Sequence, residues 1–366
     1  MNVLHVIGSR SGFFRISPVY RALRAAGAEE QVIVYAGRRS DYAPEESFLS
    51  ELDLPRPDHV LGMGGGSSAL LTGRSLIALE PIVSRARPDW IFAVGDVDAA
   101  LAAAIVGRKN GIATAHLEAG LRTGDSSAPE EVNRLLTDRL SDTLFTAGPE
   151  AETNLLEEGI SGDRIHVVGN VVADSLLRLR ERASHLNLPS VMGLERGSFL
   201  LALLRQRRNV VEAERLERIL SALDSVALAT GRATILVMEP EVAENVHRHQ
   251  LDGLLAPLTV VESTTYAELL GLVQDAAAVV TDASEIQDST TLLGVPCIAL
   301  DHSIVRRITV RQGTNFALNL ESDDLVDAIM GRIEAAHRPN RPALWDGNAA
   351  RRIAEITLQG LTSEAA

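Results

Sequence analysis

The sequence predicts an α/β fold built on doubly wound parallel sheets. Short apolar runs typical of buried parallel strands recur along the chain, and segments with helical periodicity alternate with them. Several of these runs break off into glycines, acids and arginines, as strands that end at a binding site do. With 366 residues, 46% of them apolar, the chain is long enough for two domains with full-sized cores.

In the first half of the chain, six predicted strands alternate with helices. A glycine-rich loop at 62–68 is expected to be flexible, as a lid over a binding site is. The predicted strands are Val3–Ile7, Gln31–Tyr35, Trp90–Val94, Ile112–Ala115, Leu144–Thr146 and Ile165–Val168. The predicted helices between them include Leu70–Arg85, Val97–Val106 and Pro149–Glu158.

A second domain of the same type follows a linker. We expect a first domain at 1–180, a linker at 181–197, a second domain at 198–345 and a closing helix within 346–366 that returns to the first domain. The predicted strands of the second domain are Phe199–Leu204, Ala233–Met238, Leu258–Val261, Ala278–Thr281 and Val295–Leu300. Its last predicted helix is Leu325–Ala336, and the closing helix begins at Asn348.

Bulk composition excludes several classes of function. A net charge of −14 argues against binding to nucleic acid or to an anionic membrane, because both need a basic surface. The single cysteine, Cys297, excludes a disulfide framework, and the histidines show no metal-ligand spacing, so no metal and no cofactor are expected. No apolar run approaches membrane length, and the first strand starts at Asn2, so we expect a cytoplasmic protein without a signal peptide.

An unusual concentration of ionisable residues lies between Ile91 and Arg134. Asp96, His116, Glu118 and Arg122 follow or end two apolar runs, and the carboxyl ends of parallel strands meet at one edge of a sheet. Glu130 and Glu131 start a helix after Pro129. Taken singly, Asp96 could cap the next helix and the two glutamates could serve the helix dipole. Their combination favours a catalytic site.

The segment H-L-E-A-G-L-R-T-G-D, followed by P-E-E-V-N-R, closely resembles the motif of the UDP-N-acetylglucosamine 2-epimerase family. The similarity extends over nearly the whole chain, from Val3–Arg10 through Gly95-Asp96 and Val168–Asn170 to the segment around position 285. The resemblance implies a GT-B fold, in which two Rossmann-like domains face each other with a nucleotide sugar in the cleft, and a homodimer.

The resemblance also implies roles for individual residues of the first domain. Asp96, Glu118 and Glu130 would handle protons at the sugar, together with His116. Arg10 and Arg15 match family positions that contact the phosphates of the substrate. Arg122 and Asn170 would also bind the substrate.

The second domain departs from the family pattern. Arg205-Gln206-Arg207-Arg208 stands where the family has H-R-R, and Gln206 replaces the histidine thought to protonate the departing diphosphate. An amide cannot deliver a proton, although Arg205 and Arg207 retain positive charge for the diphosphate. The run from Thr281 to Ser289 aligns with the family's T-D-S-G-G-I-Q-E-E, which holds phosphate and ribose. In that run the nucleotide-binding positions are Ala283, Ser284, Glu285, Asp288 and Ser289, and Arg306 matches a family arginine near the sugar.

These departures leave three hypotheses, all of which involve a nucleotide sugar. The preferred one is a glycosyltransferase that cleaves the C1–O bond with a nucleoside diphosphate as leaving group and passes the sugar to a small-molecule acceptor. This preference rests on the loss of the proton donor, because arginines can neutralise the leaving diphosphate without protonating it. The alternative is a 2-epimerase, hydrolysing or non-hydrolysing, that acts by elimination and re-addition. The third is an inactive homologue that only binds a nucleotide sugar.

Overall fold

The chain forms two compact α/β units. The computed structural model describes residues 1–37, 46–262, 264–300, 306–321, 324–334 and 341–364. Unit 1 comprises Met1–Ser175 and Ala343–Ala366, and unit 2 comprises Leu176–Pro342. The last residues of the chain therefore belong to the same unit as the first.

Unit 1 is a seven-stranded sheet with helices between its strands. Its strands are β1 (Asn2–Ile7), β2 (Glu30–Tyr35), β3 (His59–Val60), β4 (Trp90–Val94), β5 (Ala113–Leu117), β6 (Thr143–Thr146) and β7 (Ile165–Val167). Its helices are α1 (Arg10–Ala25), α2 (Glu46–Glu51), α3 (Ser68–Ala86), α4 (Asp98–Asn110), α5 (Pro129–Leu140), α6 (Pro149–Glu157) and the start of α7 (Val171–Leu186).

Unit 2 repeats the plan with six strands. These are β8 (Phe199–Leu203), β9 (Ala233–Met238), β10 (Thr259–Glu262), β11 (Ala278–Thr281), β12 (Cys297–Ala299) and β13 (Asn315–Ala317). After α7 come α8 (Leu188–Val191), α9 (Arg207–Val211), α10 (Ala213–Thr230), α11 (Pro240–Arg248), α12 (Tyr266–Asp275), α13 (Ser284–Leu293), α14 (Ile308–Arg311) and α15 (Leu325–Glu334). The closing helix, α16 (Ala349–Glu364), lies in unit 1.

Both sheets have the strand order of doubly wound folds, and this confirms the predicted fold class. The order is β3-β2-β1-β4-β5-β6-β7 in unit 1 and β10-β9-β8-β11-β12-β13 in unit 2, and every pairing is parallel. In each unit the chain builds outwards from the first strand on one side and then returns to build on the other. The point of reversal, between β1 and β4 in unit 1 and between β8 and β11 in unit 2, is where such sheets bind ligands.

The two predicted halves differ from the observed units at their junction. The expected linker, 181–197, contains the end of α7, the whole of α8 and the following turn, and it belongs to unit 2. Helix α7 spans the division between Ser175 and Leu176, so the change of unit falls inside a helix and not in a loop. Two strands were absent from the prediction, β3 and β13. They have only two and three residues, too few for a periodic pattern.

Helix α16 is held in unit 1 by backbone contacts as well as packing against α1. The carboxylate of Asp174 accepts hydrogen bonds from the backbone amides of Ala349 (3.2 Å) and Ala350 (2.8 Å), which are the free amides of the first turn. Gly169, which lies just before α7, has a positive φ of 94°. A Cβ at this position would lie 2.1 Å from the carbonyl oxygen of Leu344, in the segment that leads into α16. Only glycine fits this crossing.

Within the described ranges, no helix has both the length and the apolar character needed to cross a membrane.

His5 on β1 is a fully buried polar residue in the core of unit 1. Its Nε2 lies 2.8 Å from Oε1 of Gln31, and its ring contacts the rings of Tyr20 and Phe92. Burial lowers the pKa of His5 to about 4, with the Gln31 hydrogen bond opposing that shift. The folded protein therefore excludes a proton that the unfolded chain takes up below its ordinary pKa of 6.5.

We expect unit 1 to lose stability on acidification through His5. As the pH falls from 7 to 5, the unfolded chain gains a proton that folded His5 does not, which costs about 2 kcal/mol of unfolding free energy. Both tryptophans, Trp90 and Trp345, are buried in unit 1, so urea unfolding followed by tryptophan fluorescence reports this unit. The His5→Leu variant should show a loss smaller by this amount, and an equal loss in both proteins would contradict the assignment.

Candidate functional site

Asp96 lies in the turn between β4 and α4, at the point of reversal of the unit 1 sheet. Its carboxylate forms an ion pair with Arg134, and its side chain is 40% exposed. It does not cap α4, because Val97 is the N-cap residue and Asp98 is the acid of the first turn. The amide of Asn133 donates to the backbone oxygen of Asp96 at 3.0 Å, so α5 fixes this turn through two residues. Asp96 thus presents a partly exposed, oriented carboxylate.

Glu118 follows β5, the strand next to β4. Its backbone has a φ of 67°, in the left-handed region that residues other than glycine rarely adopt. Its side chain is only 5% exposed, and Nε of Arg15 donates to Oε2 at 2.5 Å. Backbone strain at a strand end, combined with a buried carboxylate on an arginine from α1, is typical of a functional residue.

Arg134 and Glu131 organise the loop after Glu118. Arg134 on α5 pairs with Asp96 and also, at 2.7 Å, with Glu131 one turn earlier. Glu131 accepts hydrogen bonds from the backbone amides of Thr123 and Gly124. Burial opposes ionisation of Glu131, but these backbone bonds and Arg134 outweigh burial and lower the pKa of its carboxyl. Glu131 is therefore an ionised acid that shapes the loop.

The other predicted site residues of unit 1 lie in differing settings. Glu130 is exposed at the start of α5, beside the buried Glu131. Arg10 starts α1, with its guanidinium 4.6 Å from the centre of the Phe48 ring. Asn170 is buried just before α7. Its side-chain oxygen accepts a hydrogen bond at 2.9 Å from the amide of Val172, in the first turn of that helix.

His116 lies inside β5 and not at its end, and it is almost fully buried. Its Nδ1 lies 2.6 Å from Oδ1 of Asp138, and its Nε2 lies 2.9 Å from the carbonyl oxygen of Gly95. The ring thus lies between a carboxylate of α5 and a backbone carbonyl of the turn after β4. This geometry gives His116 the task of joining β5 to the Gly95–Asp96 turn.

Asp138 on α5 is a site residue that the sequence reasoning missed, as are Arg134 and Asn133 on the same helix. Besides His116, it accepts from the backbone amide of Gly120 (3.1 Å) and from Arg122 (2.8 Å). Burial opposes its charge, but His116 and Arg122 outweigh burial and lower the pKa of Asp138. Asp138 lies one helical turn after Arg134 on the same side of α5, but this spacing does not reveal its partners in the preceding strand and loop.

Arg122 is bound within unit 1 through several donors. Its Nε and Nη2 donate to the two carboxylate oxygens of Glu158 at 2.7 Å each, and its Nη1 donates to the oxygen of Leu121. With the contact to Asp138, these partners fix the loop after β5. A direct contact between Arg122 and a substrate stays a prediction.

In unit 2, Arg205 follows β8 and lies between two carboxylates. Its Nε and Nη2 donate to Oε1 of Glu239 at 3.0 and 2.7 Å, and its Nη1 donates to Glu285. Burial opposes the charge of Arg205, but Glu285 and Glu239 outweigh it and raise the pKa of the guanidinium. We call these three residues the Arg205 bridge.

The side chain of Gln206, in the same turn, is held by a hydrogen bond within unit 2. Gln206 is the N-cap residue of α9, and its Nε2 donates to the backbone oxygen of Asp282 at 3.0 Å. The carboxyl of Asp282 accepts from the backbone amide of Arg205 (2.7 Å) and from Asn209 (2.9 Å). Burial raises the pKa of Asp282 to about 6, although these hydrogen bonds oppose the shift. Gln206 therefore holds the turn together.

The remaining arginines of this turn are also paired. Arg207 lies 3.4 Å from Glu241, and Arg208 lies 2.8 Å from Glu321. From sequence, Arg205 and Arg207 are expected to supply positive charge for a departing diphosphate. In the structure their charges are matched by carboxylates of unit 2.

The predicted nucleotide positions of unit 2 gather around α13. Ala283 is its N-cap residue without a side-chain cap, Ser284 starts the helix, and Glu285 is the acid of its first turn. Further along, Asp288 is buried and lies 3.3 Å from Arg306. Ser289 is also buried, with its hydroxyl 3.3 Å from that of Tyr266. Asp288 and Ser289 are thus packed inside unit 2.

In the part of the chain that the structure describes, no group of three or more histidine, cysteine, aspartate or glutamate side chains is placed to hold a metal ion. The absence of a cofactor remains a prediction.

Comparison with known proteins shows which family shares this arrangement. The family model described as UDP-N-acetylglucosamine 2-epimerase matches residues 21–358. A UDP-N-acetylglucosamine 2-epimerase of Methanocaldococcus jannaschii is 30% identical, with 98% of this chain and 100% of the relative covered. A UDP-2,3-diacetamido-2,3-dideoxy-D-glucuronate 2-epimerase of Pseudomonas aeruginosa is also 30% identical, with 97% and 99% covered.

A solved structure gives the same answer. The M. jannaschii UDP-GlcNAc 2-epimerase, crystallised in complex with UDP-GlcNAc and UDP, aligns with a TM-score of 0.87 over 98% of this chain and 100% of that chain, at 30% identity. This similarity confirms the GT-B fold. The comparisons support the 2-epimerase alternative and do not support the glycosyltransferase that we preferred from sequence. The chain belongs to the UDP-N-acetylglucosamine 2-epimerase family.

Proposed function

We propose that this protein is a UDP-sugar 2-epimerase. The observation that carries the proposal is the pair of carboxylates at the ends of neighbouring strands β4 and β5, Asp96 and Glu118, each oriented by its own arginine. Inverting a carbon needs proton transfer on both faces of the sugar, and two separately held carboxylates supply two such groups. A glycosyltransferase needs one base to activate its acceptor and does not need a second carboxylate that transfers a proton.

The substrate class follows from the relatives. The names of the two curated 2-epimerases describe UDP-linked sugars, and both sugars carry an acetamido group on C2. We therefore propose a UDP-2-acetamido sugar, with UDP-N-acetylglucosamine as the first candidate. The acceptor that a transferase would require has no place in this reaction.

The reaction runs by elimination and re-addition. One carboxylate takes the proton from C2, the C2–H electron pair forms the C1–C2 double bond, and the C1–O bond breaks to release UDP. A proton then returns to C2 from the other face, while a UDP oxygen re-attacks C1. Asp96, Glu118 and the exposed Glu130 are the candidate proton carriers, and Arg15 and Arg134 set the directions of the first two.

His116 and Arg122 support this chemistry through a shared partner, Asp138. Asp138 connects β5, the loop after it and α5, and Glu118 lies between His116 and Gly120 on that segment. Because a carboxylate base must be placed to within a fraction of an ångström, we propose that this buried network positions Glu118.

We expect the protein to exchange the C2 proton of UDP-N-acetylglucosamine with solvent. In deuterated water, NMR should show deuterium at C2 of recovered substrate and of the C2 epimer. Asp96→Asn and Glu118→Gln should lower this exchange by a factor of about 10² or more, because an amide cannot carry the proton. Asp163→Asn, at an exposed position of unit 1, is the matched control and should exchange at the wild-type rate.

Each other outcome of that experiment has a separate meaning. Free sugar in place of the UDP-linked epimer would indicate a hydrolysing epimerase. Transfer of the sugar to an added acceptor without deuterium at C2 would contradict the proposal. UDP binding with no turnover of any UDP-2-acetamido sugar would favour the inactive homologue.

We expect Asp138→Asn to destabilise unit 1 by roughly 3 kcal/mol, because it removes the charge from a buried, paired carboxylate that holds His116 and Arg122. It should also lower kcat for epimerisation more than it raises KM, since it displaces a proton carrier. Urea unfolding followed by tryptophan fluorescence measures the stability. Glu355→Gln, which breaks an exposed pair with Arg351 in the same unit, should cost less than ~1 kcal/mol. Equal stability of both variants would refute the role of Asp138.

We also propose that the protein forms a homodimer. The helix α5 leaves three apolar side chains exposed at a spacing that places them together, Val132, Leu135 and Leu136. A second copy of the chain would bury them. Light scattering during size-exclusion chromatography should therefore give twice the mass of the 39.3 kDa chain, and Leu136→Glu should shift it towards the monomer. A monomeric wild type would contradict this proposal.

A further inference from the structure

The Arg205 bridge lies at the point where the unit 2 sheet reverses its strand order. Strand β8 pairs with β9 on one side and β11 on the other. Arg205 follows β8, Glu239 follows β9, and Glu285 lies in the first turn of α13 after β11. Three adjacent strand ends therefore contribute to one ionic contact, at the edge where doubly wound sheets bind ligands.

The bridge is accessible to a ligand from solvent. The side chains of Arg205 and Glu239 are 27% and 26% exposed, and that of Glu285 is 10% exposed. The backbone of Arg205 is fixed at this turn, because its amide donates to the carboxylate of Asp282 at 2.7 Å. A ligand that reaches this turn meets Arg205 together with both carboxylates.

The charges of the bridge do not favour an anion. One guanidinium and two carboxylates sum to −1, and Arg207 and Arg208 are paired with Glu241 and Glu321. The first turn of a helix also attracts negative charge through the helix dipole, and here Glu285 supplies that charge from within the protein. The Glu285 carboxylate thus pairs with the guanidinium of Arg205 and also lies at the start of α13, the two groups here that would attract a phosphate.

We propose that Glu285 lowers the affinity of this turn for a nucleotide, because its carboxylate competes with the ligand's diphosphate for Arg205. The N–H groups of a guanidinium bind carboxylate and phosphate in the same way, so the two are alternative partners. The inference deepens the proposed function, on which its choice of a nucleoside diphosphate rests. Arg205 contacts a phosphate after the Glu285 carboxylate has yielded, and each bound nucleotide loses part of its binding energy to that exchange.

Neutralising Glu285 should therefore tighten nucleotide binding. We expect isothermal titration calorimetry with UDP to show about tenfold lower Kd for Glu285→Gln than for the full-length wild type, and a similar decrease for Glu285→Ser. Glu241→Gln is the matched control, because it neutralises an acid of α11 whose pair with Arg207 is exposed. Its Kd should stay within about twofold of the wild type. Thermal unfolding of each variant, recorded in parallel, verifies that the binding protein is folded.

The outcomes separate this inference from the proposed function. If both Glu285 variants are folded and bind UDP no more tightly than the wild type, the competition does not exist. An equal gain in Glu241→Gln would also overturn it, because the effect would then be one of general charge. Deuterium exchange at C2 by the wild type, without a gain in the Glu285 variants, leaves the epimerase standing and removes this role of Glu285. Tighter UDP binding in the Glu285 variants, without deuterium exchange by the wild type, would support the role of Glu285 and contradict the epimerase.

Discussion

The arrangement of unit 1 depends on one buried carboxylate, that of Asp138. It binds the imidazole of His116 on β5, the amide of Gly120 in the next loop and the guanidinium of Arg122. Between the first two of these contacts lies Glu118, whose backbone has the unfavourable φ of 67°. A conformation that costs of order 1–3 kcal/mol persists only where the surroundings over-determine it. Asp138 supplies that constraint from α5.

The same helix also fixes the turn that contains Asp96. Arg134 and Asn133 reach Asp96 through its side chain and its backbone oxygen, one turn before Asp138. The ends of β4 and β5 are thus both held by α5, and the two carboxylates cannot move independently of that helix. For a reaction in which a proton leaves one face of C2 and another arrives at the opposite face, such joint placement has an evident use.

Much of this could be predicted from sequence, and the failures have physical causes. The long strands and the acid cluster were predictable because apolar runs and charged strand ends are local patterns, and Trp90–Val94 and Ala278–Thr281 coincide with β4 and β11. Asp138 was missed because its importance comes from burial and from partners 16 to 22 residues away, which no local pattern reveals. The pairing of Arg205 depends on Glu239 and Glu285, 34 and 80 residues further along. A row of arginines looks free in a sequence, since its partners are chosen by the topology.

The error about function has the same origin. The replacement of the family histidine by Gln206 favoured a transferase, because the arginines on either side of Gln206 could neutralise a diphosphate without protonating it. In the structure the Gln206 amide holds the Asp282 backbone, and the neighbouring guanidinium is already neutralised. The positive charge on which the transferase hypothesis relied is therefore already paired with carboxylates within unit 2.

The two units use one interaction for opposite purposes. In unit 1, Arg15 and Arg134 orient the carboxylates that would carry protons, so the arginines serve the acids. In unit 2, Glu239 and Glu285 hold the arginine that would meet a phosphate, so the acids restrain the base. An ion pair in which the acid is the working group leaves that acid charged and directed at its target. When the arginine is the working group, its carboxylate partners compete with the ligand for the same N–H donors, and binding becomes an exchange of one anion for another.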